Sequence, residues 1–336
     1  MIADGTVRFG ILGTSRIAKR SVIPAIIASS EAELAMIGSR SIEQARECAQ
    51  AFGCDSYGTY EDVLANPDID AVYISLPNSL HEEWTIKAAQ AGKHIWCEKP
   101  AALSYESAKR MVTAAKQNNV RLMEGFMFLH HPQHAKVLDI IKSGALGILQ
   151  SFKGAFVFPR PEADNIRLSP ELGGGILNDA GTYPIRASRH IFDDEPESFS
   201  ATLVIDEKTG VDTQFDATLT FPENRIATIH AAFGDDYRST YEVIGSEGTL
   251  STERAYAVPA DRGVKIFLER NGVAEEFTID PADHFQLMLD EFCREIRLGT
   301  ASTKPYEDDL LKQARILDAA RKAHSGKKTV RLSEIN

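Results

Sequence analysis

Apolar and polar positions follow two different patterns along the chain, and the change falls near residue 125. Up to residue 124, short apolar runs are separated by segments with helical periodicity. The runs predict strands at residues 7–12, 34–37, 71–76, 94–97 and 120–123, and the segments predict helices at residues 41–52, 82–91 and 104–118. Apolar strands that alternate with helices are typical of a parallel sheet covered on both faces, the doubly wound α/β fold.

The second pattern contains longer strands in which apolar and polar residues alternate, as they do in half-buried antiparallel strands. Strands are predicted at residues 149–158, 199–205, 215–221, 226–233 and 237–244, and helices at residues 133–143, 285–297 and 308–324. We therefore expect a doubly wound domain over residues 1–124 and an α+β domain over residues 125–336. The C-terminal helix is expected to pack back on the first domain.

The composition excludes several classes of function. The chain has 336 residues, of which 43% are hydrophobic and 25% charged, as in ordinary soluble proteins. Its net charge is −11 and it has no run of lysine and arginine, which argues against nucleic-acid binding. No apolar stretch is long enough to span a membrane, and the first residues lack the features of a signal peptide. Because the four cysteines form no C-x-x-C pair, we expect reduced thiols and a cytoplasmic location.

A glycine-containing turn follows the first predicted strand. Gly13, Ser15 and Ala18 occupy the three small-residue positions of the G-x-G-x-x-G/A pattern, with serine at the middle position. Small residues there allow a tight turn and a close approach of the backbone to a pyrophosphate, which the next helix binds with its free N–H groups. The predicted cofactor-binding residues of this turn are Gly13, Thr14, Ser15, Arg16 and Ile17.

The end of the second predicted strand indicates which nicotinamide cofactor is used. An acidic residue at this position would bind the ribose 2′-hydroxyl of NAD. This chain instead has Ser39, Arg40 and Ser41, and an arginine with two hydroxyls suits a 2′-phosphate. We therefore expect NADP(H). Ser41 is also predicted to cap the following helix, with Gln44 three residues later.

Three further motifs, taken together with the glycine turn, carry a family resemblance. They are Pro77-Asn78-Ser-Leu-His81, Glu98-Lys99-Pro100 and the glycine-rich segment 173–183. The chain resembles the glucose–fructose oxidoreductase and inositol dehydrogenase family, Gfo/Idh/MocA, over nearly its whole length. The resemblance implies a Rossmann domain, followed by an α+β domain with a large open, mostly antiparallel sheet. It also implies hydride transfer between a nicotinamide and a carbon of a sugar, cyclitol or diol, no metal, and a homodimer or homotetramer.

The resemblance also assigns roles to single residues. Lys99 matches the lysine at the substrate oxygen, Tyr183 the proton-relay residue, and Asp179 would share a helical face with Tyr183. A lysine can polarise a carbonyl and stabilise a phenolate, so a Lys/Tyr pair suits reduction of a ketone. The residues that resemble those lining the nicotinamide and its ribose are Leu76, Pro77, Asn78, His81, Glu98 and Lys99.

Two further stretches, residues 165–167 and 241–259, narrow the substrate class. This combination resembles enzymes that reduce 3-keto nucleotide-diphosphate sugars and, less sharply, the dihydrodiol and xylose dehydrogenase branch. On this resemblance we expect Asn165, Arg167 and Tyr256 at or near the substrate pocket. The open alternatives are an aldose or trans-dihydrodiol dehydrogenase, an NAD-dependent glycosidase and a non-catalytic NADP(H)-binding regulator. Leu129 stands where many relatives have an arginine, so a contact made by that arginine is missing.

His130, His131 and His134 are candidate metal ligands by residue type. Pro132 is expected to interrupt a helix between them, and no matching cysteine or carboxylate set accompanies them. We therefore expect no metal site.

Overall fold

The computed structural model describes residues 5–234 and 236–335, apart from the side chain of Thr300. The chain forms two compact units. The first contains residues up to Met127 together with His284–Leu311, and the second contains Phe128–Asp283 and the residues from Lys312 onward.

The strands are β1 (Val7–Leu12), β2 (Ala32–Gly38), β3 (Tyr57–Gly58), β4 (Ala71–Ile74), β5 (His94–Cys97), β6 (Leu122–Glu124), β7 (Leu149–Phe158), β8 (Ser198–Ile205), β9 (Asp212–Thr220), β10 (Ile226–Phe233), β11 (Arg238–Gly245), β12 (Thr249–Thr252), β13 (Val264–Arg270), β14 (Val273–Ile279) and β15 (Val330–Arg331). The α-helices are α1 (Ile23–Ala28), α2 (Ile42–Ala51), α3 (Tyr60–Ala65), α4 (His81–Gln90), α5 (Tyr105–Gln117), α6 (Pro132–Lys142), α7 (Thr182–Phe192), α8 (His284–Leu298) and α9 (Tyr306–Gly326).

The first unit is built on a parallel sheet, which confirms the doubly wound prediction. Within the described residues the sheet has six strands in the order β3-β2-β1-β4-β5-β6. The order reverses between β1 and β4, and ligands of such sheets bind at the carboxyl ends of the strands beside this reversal. The strand β3 was not predicted, because two residues are too short to show a pattern.

The segment after β13 and β14 returns to the first unit. In α8, Asp290 accepts a hydrogen bond from the Ser29 hydroxyl and Arg297 forms an ion pair with Glu31. These contacts place α8 against the end of α1 and the start of β2. The first unit therefore differs from the predicted division at residue 124, because His284–Leu311 belongs to it.

The second unit contains a mostly antiparallel sheet, as the family resemblance implied. Its nine strands within the described chain run in the order β14-β13-β12-β11-β7-β10-β9-β8-β15. The strands β7 and β10 pair in parallel at its centre, and their other neighbours are antiparallel. Both have the predicted bounds. The strand β14 was not predicted, because its side chains are mostly exposed and its apolar residues do not alternate with polar ones.

The helix α7 lies against β7, where Gly154 leaves room for it. A Cβ atom placed on Gly154 would lie 2.7 Å from Cβ of Pro184 in α7. A π-helical turn, Leu177–Gly181, leads into α7, so the segment from Asp179 to Tyr183 starts with a wider turn than that of an α-helix. Gln313 of α9 donates a hydrogen bond to the Thr182 carbonyl oxygen, which fixes the start of α7. In the described part of the chain, no helix has the length and apolar character needed to cross a membrane.

Candidate active site

The turn after β1 has the geometry that its sequence predicts. Gly13 has a φ of 103°, in the left-handed region, and its N–H donates a hydrogen bond to the Gly38 carbonyl oxygen at 3.0 Å. A Cβ atom on Gly13 would lie 2.9 Å from Cδ2 of Leu76 and 3.2 Å from the Ser75 hydroxyl oxygen. Both the conformation and the available space therefore require glycine, which brings bare backbone to the carboxyl end of the sheet.

Ser15 stands at the middle position of the pattern, where the motif has glycine. Its hydroxyl oxygen accepts a hydrogen bond from the Ala18 N–H at 3.1 Å, which satisfies one of the free donors at the start of the helix. Arg16 is exposed, whereas Thr14 and Ile17 are half-buried. The turn therefore combines a glycine cradle with a helix start, which is the arrangement that accommodates a pyrophosphate.

The end of β2 presents a cation. Ser39 is buried, and its N–H donates a hydrogen bond to the Gly58 carbonyl oxygen at 3.0 Å. The Ser41 hydroxyl accepts a hydrogen bond from the Gln44 N–H at 3.3 Å, so it caps α2 as predicted. Arg40 lies exposed between these anchored residues, and among the described side chains no carboxylate forms an ion pair with it. The guanidinium is therefore available to an anionic group.

His81, predicted near the cofactor, lies in the core beneath the two loops that carry other predicted cofactor residues. Its side chain is fully buried, with Nε2 at 2.9 Å from the Leu76 carbonyl oxygen and Nδ1 at 3.0 Å from that of Pro100. Burial lowers the pKa of His81 and so favours the neutral ring, which carries one N–H. His81 therefore links the loop after β4 to the loop after β5.

Lys99 is half-buried and follows β5, in a segment whose backbone is fixed on both sides. The Glu98 N–H donates to the Ile74 carbonyl oxygen at 3.0 Å, and the Glu98 carboxylate accepts a hydrogen bond from the Tyr73 hydroxyl at 2.7 Å. On the other side, the Ala101 N–H donates to the carboxylate of Glu124 at 2.9 Å. No sequence signal marks Tyr73 as a support of this loop, because it lies within an apolar strand.

In the second unit, Arg167, Asp179 and Tyr183 form one cluster. The guanidinium of Arg167 forms a hydrogen-bonded ion pair with the carboxylate of Asp179. The charge of Asp179 raises the pKa of Arg167, and Tyr183 adds to this effect, so the guanidinium interacts electrostatically with both side chains. Asn165 accepts a hydrogen bond from the Arg167 N–H at 3.1 Å. The structure thus joins the predicted substrate residues Asn165 and Arg167 to the predicted catalytic residues Asp179 and Tyr183.

The triple glycine lets the chain fold back tightly at this cluster. Gly175 has a φ of 104°, and a Cβ atom there would lie 2.1 Å from a carboxylate oxygen of Asp212. Its N–H donates a hydrogen bond to the Arg167 carbonyl oxygen at 2.9 Å. The Asp212 carboxylate also accepts a hydrogen bond from the Leu177 N–H at 2.6 Å. The loop that carries Arg167 is therefore tied to the helical segment that carries Asp179 and Tyr183.

Tyr183 rests on a cluster of aromatic rings and is only 5% exposed. The centre of its ring lies 5.2 Å from that of Phe156, 5.7 Å from that of Phe128 and 5.8 Å from that of Tyr256. Tyr256, predicted at or near the substrate pocket, is fully buried and supports the ring of Tyr183. The sequence signal for Phe156 is the alternation of apolar and polar residues along β7, which does not distinguish a site residue from a core residue.

The three candidate metal ligands, His130, His131 and His134, lie at or beside the start of α6. Pro132 is the first residue of α6, so it begins the helix. The prediction that it interrupts a helix was wrong. The ring of His134 is buried between the Tyr241 hydroxyl, at 2.9 Å, and the Ala255 carbonyl oxygen, at 3.0 Å. Within residues 5–234 and 236–335, no group of three or more histidine, cysteine or acidic side chains could hold a metal ion.

Comparisons with known proteins agree with this geometry. Residues 7–126 match the family model described as "Oxidoreductase family, NAD-binding Rossmann fold", and residues 134–251 match the "GFO/IDH/MocA C-terminal domain". The chain is 35% identical to a dTDP-3,4-didehydro-2,6-dideoxy-alpha-D-glucose 3-reductase of Saccharopolyspora spinosa, over 93% of this chain and 96% of the relative. It is also 35% identical to a D-xylose 1-dehydrogenase (NADP(+)) of Haloferax volcanii, over 87% and 89% of the two chains.

A solved structure shows the same fold. It is a 3-ketoreductase from Actinomadura kijaniata in complex with NADP and TDP-benzene, with a TM-score of 0.90 and 33% identity over 95% of this chain and 98% of that one. The fold and the site thus define an oxidoreductase with a dinucleotide-binding Rossmann unit. The chain belongs to the Gfo/Idh/MocA family, as the sequence motifs indicated.

Proposed function

We propose that this chain is an NADP(H)-dependent ketoreductase that reduces the 3-keto group of a nucleoside diphosphate sugar. The observation that carries the proposal is the cluster of Arg167, Asp179 and Tyr183, which combines a proton donor with a cation that can meet sugar or phosphate oxygens. The similarity to 3-reductases over more than nine-tenths of the chain supports the same substrate class.

The cofactor assignment rests on residues of the first unit. Gly13 leaves a cradle that a side chain would fill, and Arg40 is exposed without a carboxylate partner in the described chain. These features suit the pyrophosphate and the 2′-phosphate of NADP(H). The 3-ketoreductase from Actinomadura kijaniata is in complex with NADP, and the relative from Haloferax volcanii is a D-xylose 1-dehydrogenase (NADP(+)). When bound, the reduced cofactor supplies the hydride.

The protein's own groups handle the oxygen of the carbonyl. Lys99 would polarise the carbonyl with its ammonium, which favours negative charge on the oxygen. Tyr183 would donate its phenolic proton to that oxygen as the alcohol forms. The Arg167 guanidinium, neutralised in part by Asp179, would stabilise the phenolate that remains until a proton returns from solvent.

The test is a comparison of substrates at fixed NADPH or NADP⁺. We expect turnover of a dTDP-3-keto-6-deoxysugar with NADPH and a far smaller kcat/KM for oxidation of free D-xylose. The second candidate function is aldose oxidation, which the 35% identity to the xylose dehydrogenase favours. Turnover of xylose alone would replace the first candidate with the second.

A further inference from the structure

Tyr237 and Arg254 form a stacked pair at the surface of the second unit. Tyr237 is 43% exposed, and the guanidinium carbon of Arg254 lies 4.5 Å from the centre of its ring. Arg254 donates hydrogen bonds to the Tyr237 hydroxyl at 3.0 Å and to the Ala257 carbonyl oxygen at 2.7 Å. The guanidinium is therefore held in place, although side chains of its kind are mobile when they lie free at a surface.

The charge of Arg254 sets it apart from other arginines of the second unit. Within the described residues no carboxylate forms an ion pair with it, whereas Arg160, Arg167 and Arg262 in the same unit pair with acidic side chains. Its hydrogen bonds to neutral oxygens leave several N–H donors unused, since a guanidinium has five. A fixed cation that has no acidic partner among the described residues, in a chain of net charge −11, is suited to an anionic ligand.

A chain of ring contacts connects this pair to the proposed proton donor. The Tyr237 ring lies 6.3 Å from that of Phe156, and the Phe156 ring lies 5.2 Å from that of Tyr183. Tyr256, which also packs against Tyr183, is two residues from Arg254 in the same loop. The pair is therefore two ring contacts away from Tyr183, too far to act on the same atoms and near enough to hold another part of one substrate.

We propose that Tyr237 and Arg254 form the subsite for the nucleoside diphosphate part of the substrate, with the base stacked on Tyr237 and Arg254 bound to a phosphate oxygen. This inference rests on the proposed function, because it divides one substrate between Tyr183 at the sugar and this pair at the nucleotide. An exposed aromatic ring binds a nucleobase by stacking, and an arginine binds phosphate through paired N–H donors. The subsite would make the enzyme select nucleotide-linked sugars over free ones.

The experiment is calorimetric titration of the full-length, NADP⁺-saturated protein with dTDP, which lacks the sugar. We expect Tyr237→Ala and Arg254→Ala each to weaken dTDP binding about tenfold or more. Tyr237→Phe should stay within about threefold of wild type, because it keeps the stacking surface. The matched controls are Phe267→Ala and Arg270→Ala, an exposed ring and an exposed arginine on β13 of the same unit.

The outcomes separate this inference from the proposed reaction. If the Tyr237→Ala and Arg254→Ala proteins bind dTDP as tightly as the two controls, or if wild type does not bind dTDP, the subsite is wrong. If affinity falls as expected but wild type reduces no 3-keto sugar, the subsite stands and the proposed reaction does not. With an active enzyme, the two variants should raise KM for the nucleotide sugar and leave kcat within about twofold, since neither touches the reacting atoms.

Discussion

The carboxylate of Asp179 is paired with the guanidinium of Arg167, twelve positions earlier in the chain, and this guanidinium also interacts electrostatically with Tyr183. The pair sets the local charge beside the phenol, because each partner largely cancels the other. An uncompensated guanidinium would favour the phenolate and an uncompensated carboxylate would oppose it. The proton-donating form of Tyr183 therefore depends on both partners.

Breaking the pair from its two sides should shift the pH profile of ketone reduction in opposite directions. In Asp179→Asn the guanidinium is uncompensated, so the rate should fall with rising pH about one unit earlier than in wild type. In Arg167→Gln the fall should come about one unit later. The measurement is kcat/KM against pH for both variants and for the double variant.

The double variant controls for general damage to the site, and its profile should return toward that of wild type. Profiles that move in the same direction in both single variants, or that do not move, would show that the ion pair does not set the charge beside Tyr183.

Tyr183 and Tyr256 offer a matched test of proton donation against packing. Tyr183→Phe removes the proposed donor, and we expect kcat to fall about 10²- to 10⁴-fold with little change in stability. Tyr256→Phe should change kcat only a few-fold, because its ring is retained and its hydroxyl makes one long contact, 3.5 Å from the Thr240 carbonyl oxygen. Steady-state kinetics and thermal melts of both variants measure this. Equal losses in the two would remove Tyr183 from its proposed role.

Arg40 should determine the preference for NADPH over NADH. Loss of a charge-assisted hydrogen bond to the 2′-phosphate in Arg40→Ala should weaken NADPH binding about tenfold or more and leave NADH binding nearly unchanged. Arg46→Ala, an exposed arginine within α2, is the matched control. Fluorescence titration with both cofactors makes the comparison. Wild-type protein that binds NADH as tightly as NADPH would contradict the assignment of NADP(H).

His94 should make the first unit sensitive to acid. Burial, reinforced by the charge of Arg121, lowers the pKa of His94 to about 4, and its Nδ1 accepts a hydrogen bond from the Arg121 N–H at 3.0 Å. Between pH 6.5 and pH 4 the His94 side chain binds a proton in the unfolded chain but not in the folded one. The contribution of His94 to the free energy of unfolding therefore has its full value above pH 6.5. It is lost as the pH falls toward 4, by up to about 3 kcal/mol.

The variant His94→Asn keeps an acceptor for the Arg121 N–H and cannot be protonated in this range. Its free energy of unfolding should therefore fall less than that of wild type between pH 7 and pH 4. Both tryptophans, Trp84 and Trp96, lie in the first unit, so their fluorescence reports its unfolding. His230→Asn, on β10 of the second unit, is the control. An identical slope in wild type and His94→Asn would refute the prediction.

Much of the fold could be predicted because local pattern and tertiary position agree. The strands β1, β5, β7 and β10 have their predicted bounds, and Gly13 has the left-handed conformation that its motif requires. These features depend on residues close together in sequence. The strand β14 could not be found in this way, because it is held by its pairing with β13 and has no buried face.

The site was less predictable, because its contacts depend on the path of the chain. The motif indicated Asp179, but not that Arg167 neutralises it, since their pairing requires the fold at the triple glycine. The motifs indicate His81 near the cofactor and Tyr256 at or near the substrate pocket, but they do not show that both side chains are fully buried. The type of a residue indicates the chemistry it can perform. Its burial decides whether it can contact a ligand or only supports another residue that contacts the ligand.

The measurement to make first is isotope transfer from NADPH that carries deuterium at its transferable position, with a dTDP-3-keto-6-deoxysugar as substrate. We expect one deuterium at carbon 3 of the product sugar, and loss of this transfer in Tyr183→Phe. No deuterium at carbon 3, together with release of nitrophenol from an aryl glycoside without net change in the cofactor, would contradict the proposed ketoreductase and indicate a glycosidase.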